Sequence, residues 1–184
     1  MTDTLWDKTL YHLDKGNFTA LENDLGGPDG FRENLIEWHS AGRFTNEPEA
    51  LAEALSCACM VGNLETARYL LNQGVDPYAG MKTGLSGFHY AASSGRLHVI
   101  KLLIDRNVPM EVRNMYGGTI FEQAIWSAVN EYTPQHAEIV ERLIEAGAVV
   151  NPSYREWWAE QRIPDAATKA RIANALEEHL KRQD

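Results

Sequence analysis

Few residues in this chain are arranged for covalent chemistry. The stretch "GLSGF" (84–88) sets a serine between glycines, but Phe88 stands where a nucleophile elbow needs its last glycine. Ser86 reads better as a helix cap. Cys57 and Cys59 could in principle act as nucleophiles, metal ligands or a disulfide. Spaced i, i+2 on a helix, they diverge by about 200° and cannot readily bond to each other. No Cys or His stands near them at ligand spacing, and no two of the six histidines have zinc spacing, so two small buried thiols are expected. "GGT" (117–119) lacks the glycine-rich cradle of a phosphate loop and reads as a turn followed by a cap. Glu177 and Glu178 are adjacent and splayed, as on a solvated face. The expectation is a non-enzymatic chain with no catalytic residues, no metal and no cofactor.

The balance of charge limits the partners. The formal net charge is −9, and residues 1–60 hold eleven acidic against four basic side chains, a net of −7. Nucleic-acid binding needs phosphates neutralised by Lys and Arg, so it is not expected. A basic protein partner is compatible with the acidity, and so is a plain solvated surface. No apolar run approaches the ~20 residues of a membrane span. The opening "MTDTLWDKTL" has scattered charge and none of the apolar core of a secretory signal. These features predict a cytoplasmic, monomeric protein whose 184 residues form one domain.

The elements that would position any site repeat themselves. "EALSCACMVGNLETARYLL" (53–71) and "SGFHYAASSGRLHVIKLLI" (86–104) superpose at a period of 33, with Gly62 on Gly95, Leu64 on Leu97 and Leu70 on Leu103. A third copy keeps the period through Ala124 on Ala91, but "EIVERLIEAGA" matches "HVIKLLIDRNV" only at an offset of 40. Seven residues, about 128–134, have entered between its helices, as extra helical turns or as a loop. Helix pairs at a fixed period with apolar positions on both helices predict an all-α solenoid, since one pair cannot bury its own apolar face. The first helix of each pair is rich in small residues and would line a concave side. The second carries bulky aliphatics at i, i+3, i+4 spacing.

The motifs "SGFHYAA" (86–92) and, more loosely, "TIFEQAI" (119–125) resemble the Thr-Pro-Leu-His-x-Ala signature of the ankyrin-repeat family. "GNLETARYLLNQGVDP" (62–77) and "AEIVERLIEAGAVVN" (137–151) resemble its second helix and turn. The resemblance covers about 48–152, and the compact, stand-alone, acidic chain is similar to small bacterial ankyrin-repeat proteins. Gly87 and Ile120 replace the motif proline, and the first copy lacks the histidine. The resemblance implies repeats at 48–80, 81–113 and 114–152, and it assigns His89 to hydrogen bonding between repeats. It also implies that a protein partner is gripped by hairpin tips and exposed inner-helix positions. By alignment these are Lys82, Thr83, Leu85, Ser93 and Ser94 in the middle copy, and Met115, Tyr116, Trp126 and Ser127 in the third, with Asn130 and Tyr132 added by the insertion. Trp126 packs on a neighbouring repeat in one reading and joins a binding patch in the other.

Local rules fix the ends of the elements. Ser86 and Thr119 are hydroxyl N-caps, and Thr119 with Glu122 spells a capping box. Gly74, Asn107 and Gly147 occupy the left-handed position after each second helix. Residues 1–27 read as a degenerate helix pair, 28–47 as a connecting helix beyond the breaker "GGPDG" (26–30), and 153–184 as a C-terminal cap. Phe31, Leu35 and Trp38 share one helix face, and Asn46 and Pro48 open the first regular repeat. In the cap, Asp165 starts an amphipathic helix with Ile172, Leu176, His179 and Leu180 inward, while Trp157 and Trp158 seal the last repeat. The leading functional expectation is a binding module, in its sharpest form an inhibitor or immunity-type protein. The alternatives are a pocket for a small molecule or a reaction between the insertion, Trp126 and the Trp pair, using His136 or Glu131, and a helical spacer.

Overall fold

Among the described residues every regular element is an α-helix, and three of them end on the same device. In each repeat the second helix closes as a Schellman motif. Gly74 (φ +81°) donates to Leu71 O at 3.1 Å while Val75 N–H reaches Leu70 O at 3.1 Å. Asn107 and Val108 do the same to Ile104 O (2.8 Å) and Leu103 O (3.0 Å), and Gly147 and Ala148 to Ile144 O and Leu143 O (both 3.0 Å). Asn107, at φ +53°, is the one non-glycine residue with positive φ among those described. Asn107→Gly is therefore expected to be neutral or slightly stabilising in urea denaturation, and a loss above about 1 kcal/mol would contradict a left-handed cap there.

The structure, a computed structural model, describes residues 4–182; residues 1–3 and 183–184, the outer ends of the first and last segments expected above, lie outside the described residues. The chain divides into two compact units, 1–91 and 92–184.

The first unit contains α1 (Thr4–Lys15), α2 (Phe18–Asp24), α3 (Gly27–Ser40), α4 (Pro48–Val61), α5 (Leu64–Asn72) and the start of α6 (Gly87–Ser93). Helix α4 packs on α1, α2 and α5, and α3 packs on α2 and α5. Leu13, Phe18, Leu21, Phe31, Leu35, Leu55, Leu70 and Phe88 fill the interior. Helix α3 begins four residues before Phe31, so most of "GGPDG" is not a break. Gly26 takes the left-handed N-cap and Pro28 falls in the first turn, where its missing N–H costs nothing. Asn46 does not cap α4; Glu47 precedes it without a side-chain bond, and Pro48 is the first helical residue. Cys57 and Cys59 are buried and free, and burial pushes the Cys59 thiol up to about 12 and Cys57 well above its usual range, which makes both unreactive.

The second unit contains the end of α6, then α7 (Leu97–Asp105), α8 (Ile120–Asn130), α9 (His136–Glu145), α10 (Ser153–Glu160) and α11 (Ala166–Lys181). Helix α9 packs on α7, α8 and α11, and α10 packs on α11. The seven inserted residues divide. Helix α8 runs one turn past the equivalent end of α6, through Asn130, and 131–135 form a loop into α9. Thr119 and Glu122 form the expected capping box (Glu122 N–H to Thr119 Oγ1 3.3 Å, Thr119 N–H to Glu122 Oε2 2.8 Å). Asp165 caps α11 through Thr168 N–H at 2.7 Å. Ile172 and Leu176 are buried, whereas His179 and Leu180 are only half-buried.

Candidate functional site

The tip of the third repeat is built around one side chain that the spacing rules did not single out. Asn114, buried, accepts Tyr116 N–H and Gly118 N–H on Oδ1, both at 2.9 Å, while its own N–H reaches Gly118 O at 2.9 Å. This closes residues 114–118 into a pinned loop that holds Met115 and Tyr116 outward, with Tyr116 81% exposed. Asn114 Nδ2 then donates to Gln123 Oε1 (3.0 Å), Gln123 Nε2 to Ser127 Oγ (3.1 Å) and Ser127 Oγ to Glu131 Oε2 (3.4 Å). The i, i+4 rows of α8 thus connect the tip to the inserted turn through a continuous polar chain. An Asn at position 114 before two glycines was a legible signal for an Asx-type turn.

The other expected contact residues fall in different environments. Trp126 is 48% exposed, and Asn130, also exposed, donates to its carbonyl at 2.9 Å. Ser127 is fully buried; it lies about 100° around the helix from Trp126 and serves the polar chain rather than the surface. Ser93 is also buried, with its carbonyl 3.2 Å from His136 Nε2. Ser94 is half-buried. Tyr132 is half-buried, its hydroxyl 3.4 Å from Thr168 Oγ1 of α11. In the first unit, Lys82 is exposed but held by carboxylates, Thr83 packs beside Gly16, and Leu85 is half-buried. Tyr116 is thus exposed on the loop before α8, and Trp126 and Asn130 are exposed on α8 itself, whereas Ser93 and Ser127 are buried and drop out of the accessible set.

His136 is structural rather than poised for chemistry. Its Nδ1 accepts Thr133 N–H at 3.0 Å, which leaves the proton on Nε2 for Ala92 O (3.1 Å) and Ser93 O (3.2 Å). The ring thereby caps the last carbonyls of α6 and starts α9 at once. Burial lowers its basicity, since the charged ring would lose water and the Nδ1 acceptor role. His89 makes the same start to α6, with Nδ1 3.3 Å from Ser86 N–H and 2.8 Å from Ser86 Oγ, and its own N–H 3.4 Å from that hydroxyl. Glu131 is engaged by Ser127. Among the described residues no three His, Cys, Asp or Glu side chains could hold a metal ion, and no helix is long and apolar enough to cross a membrane.

Repeated helix pairs whose second helices end on the same left-handed cap define an all-helical repeat protein. Residues 33–114 and 55–154 match the family described as ankyrin repeats (3 copies), and the chain belongs to that family. A stretch of 63 residues, 33% of the chain, is 38% identical to the ankyrin repeat and KH domain-containing protein mask-1 of Caenorhabditis elegans. Another of 67 residues, 36% of the chain, is 37% identical to the E3 ubiquitin-protein ligase hecd-1 of the same organism. The chain spans about 2% of the length of each of these relatives. Ankyrin repeats are generally protein-interaction modules.

Proposed function

We propose that the chain is a non-catalytic, monomeric binding module that grips a protein partner through the tip and inner helix of its third repeat. The observation that carries this reading is Tyr116, 81% exposed on a loop whose backbone Asn114 fixes from inside. A large exposed ring on a preordered loop loses little entropy on binding, and Tyr and Trp dominate interface hot spots. Met115 and Trp126 add apolar area, and Asn130 adds polar groups at the rim. In its finer form the module acts by occlusion, as an inhibitor or immunity-type protein seated over a partner enzyme.

The test is affinity purification from the source cell, followed by binding measurements on the recovered partner. Tyr116→Ala and Trp126→Ala are each expected to weaken binding by about 10- to 100-fold. Tyr116→Ala is a surface change whose stability should stay within about 0.5 kcal/mol, and Trp126→Ala, which uncovers a half-covered ring, should cost about 1 kcal/mol, so both variants stay folded. Undiminished binding by the double variant would overturn the reading.

A further inference from the structure

Residues from α1, the start of α4 and the 80s loop of the first unit line a half-open cavity of about 370 Å³. Its wall includes Asp14, Glu47, Glu49 and Glu53, with Lys82 as the single cation, over an apolar base from Leu10, Pro48 and Ala50. Lys82 Nζ lies 2.9 Å from Asp14 Oδ1 and 3.2 Å from Glu49 Oε2, so the cavity already accommodates one ammonium. Glu53 is the unusual member. It is 1% exposed; one oxygen accepts Lys82 N–H at 2.8 Å and the other, buried, has no hydrogen-bond donor. A buried carboxylate oxygen without a donor is costly, and a donor brought by a ligand removes that cost.

We propose that this cavity receives the guanidinium of an arginine side chain on a basic protein partner. The volume is small for a folded element but fits the end of one side chain. Four carboxylates against two ammonium groups, Lys82 and the Lys15 that pairs with Asp14 from outside the lining at 2.8 Å, still leave an excess of negative charge that favours a cation, and the unit's first 60 residues carry a net of −7. A divalent metal is a poorer occupant, because no three of these carboxylates converge as ligands. A guanidinium presents donors in a planar fork and is weakly hydrated, so it reaches a recessed oxygen at lower desolvation cost than an ammonium. The inference rests on the protein-binding reading above and adds a second, chemically distinct contact to it.

The experiment is amide chemical-shift titration of the full chain with Nα-acetyl-arginine amide, using Nα-acetyl-citrulline amide as the neutral isostere and calcium chloride as the metal comparator. Arginine amide should shift Asp14, Glu49, Glu53 and Lys82, and citrulline amide should leave them in place. Glu53→Gln should weaken the response about tenfold, as for a hydrogen bond to a charged group. Lys82→Gln, which removes the resident ammonium, should strengthen it. Should Glu53→Gln fail to fold, the exposed Glu49→Gln carries the same expectation. Equal shifts with citrulline amide, tighter binding of calcium than of arginine amide, or a weaker response in Lys82→Gln would each overturn the proposal. An absent arginine response beside Tyr116-dependent partner capture overturns the cavity alone. An intact arginine response beside Tyr116-independent capture overturns the tip alone.

Discussion

Replacing His136 by alanine should destabilise the second unit by about 3 kcal/mol or more. The imidazole is fully buried and serves three backbone groups: Thr133 N–H, Ala92 O and Ser93 O. Each buried group left unpaired costs about 1–3 kcal/mol, and the missing ring adds a cavity. Gly95, at φ +68°, packs so closely under Thr133 that a Cβ there would run into the Thr133 side chain, so the loop cannot simply collapse to fill the space. His136→Gln keeps an N–H donor for the two carbonyls and loses the acceptor for Thr133, so it should recover part of the loss.

The same ring gives a pH dependence whose sign is fixed. Its folded pKa lies below the ordinary 6.5, because burial opposes the charged form. The unfolded chain therefore binds more protons than the folded one in that window. The contribution is complete above about 6.5 and falls as the pH drops from there toward the folded value. Urea denaturation between pH 5 and 8 should show this slope in the wild type and not in His136→Gln. The difference between the two removes the opposite trend expected from Glu53, whose burial raises its pKa. Equal slopes would mean that the ring is not held neutral by the fold.

Legibility from sequence followed the range of the interaction. The left-handed caps at Gly74, Asn107 and Gly147 and the box at Thr119 and Glu122 are local geometry and were readable from residue type and spacing. The role of His136 was not. His136, in "TPQHA" (133–137), stands at the head of a second helix, and its acceptors lie 43 and 44 residues earlier. The acidic cavity draws on positions 14, 47–53 and 82, which no window of sequence joins. Alignment assigned Ser127 to the surface because it counts positions along the helix. Its burial depends on which face α8 turns toward α9, and that is set by packing.

The paired tryptophans of the C-terminal cap divide in the same way, and with a larger energetic difference. Trp158 is 1% exposed, and its indole N–H donates to Lys169 O of α11 at 3.0 Å. Trp157 is half-buried against Tyr154, with ring centroids 5.9 Å apart. Trp158→Ala should cost about 3–5 kcal/mol, the usual range for a buried large aromatic. Trp157→Ala should cost about 1 kcal/mol, near the centre of point-mutant effects. Trp158→Phe keeps most of the ring and loses one net hydrogen bond, about 0.5–1.5 kcal/mol. The consequence reaches the binding surface through packing. Helix α10 rests on α11, α11 on α9 and α9 on α8, while Tyr154 meets Phe121 of α8 edge-on at 5.7 Å. Helix α8 carries Trp126, so loosening the cap should weaken partner binding without touching a contact residue. The two causes separate with temperature. Binding lost in Trp158→Ala should return on cooling to where the variant is fully folded, whereas binding lost in Trp126→Ala should not. Loss in Trp158→Ala that persists in the folded variant would place Trp158 at the interface instead.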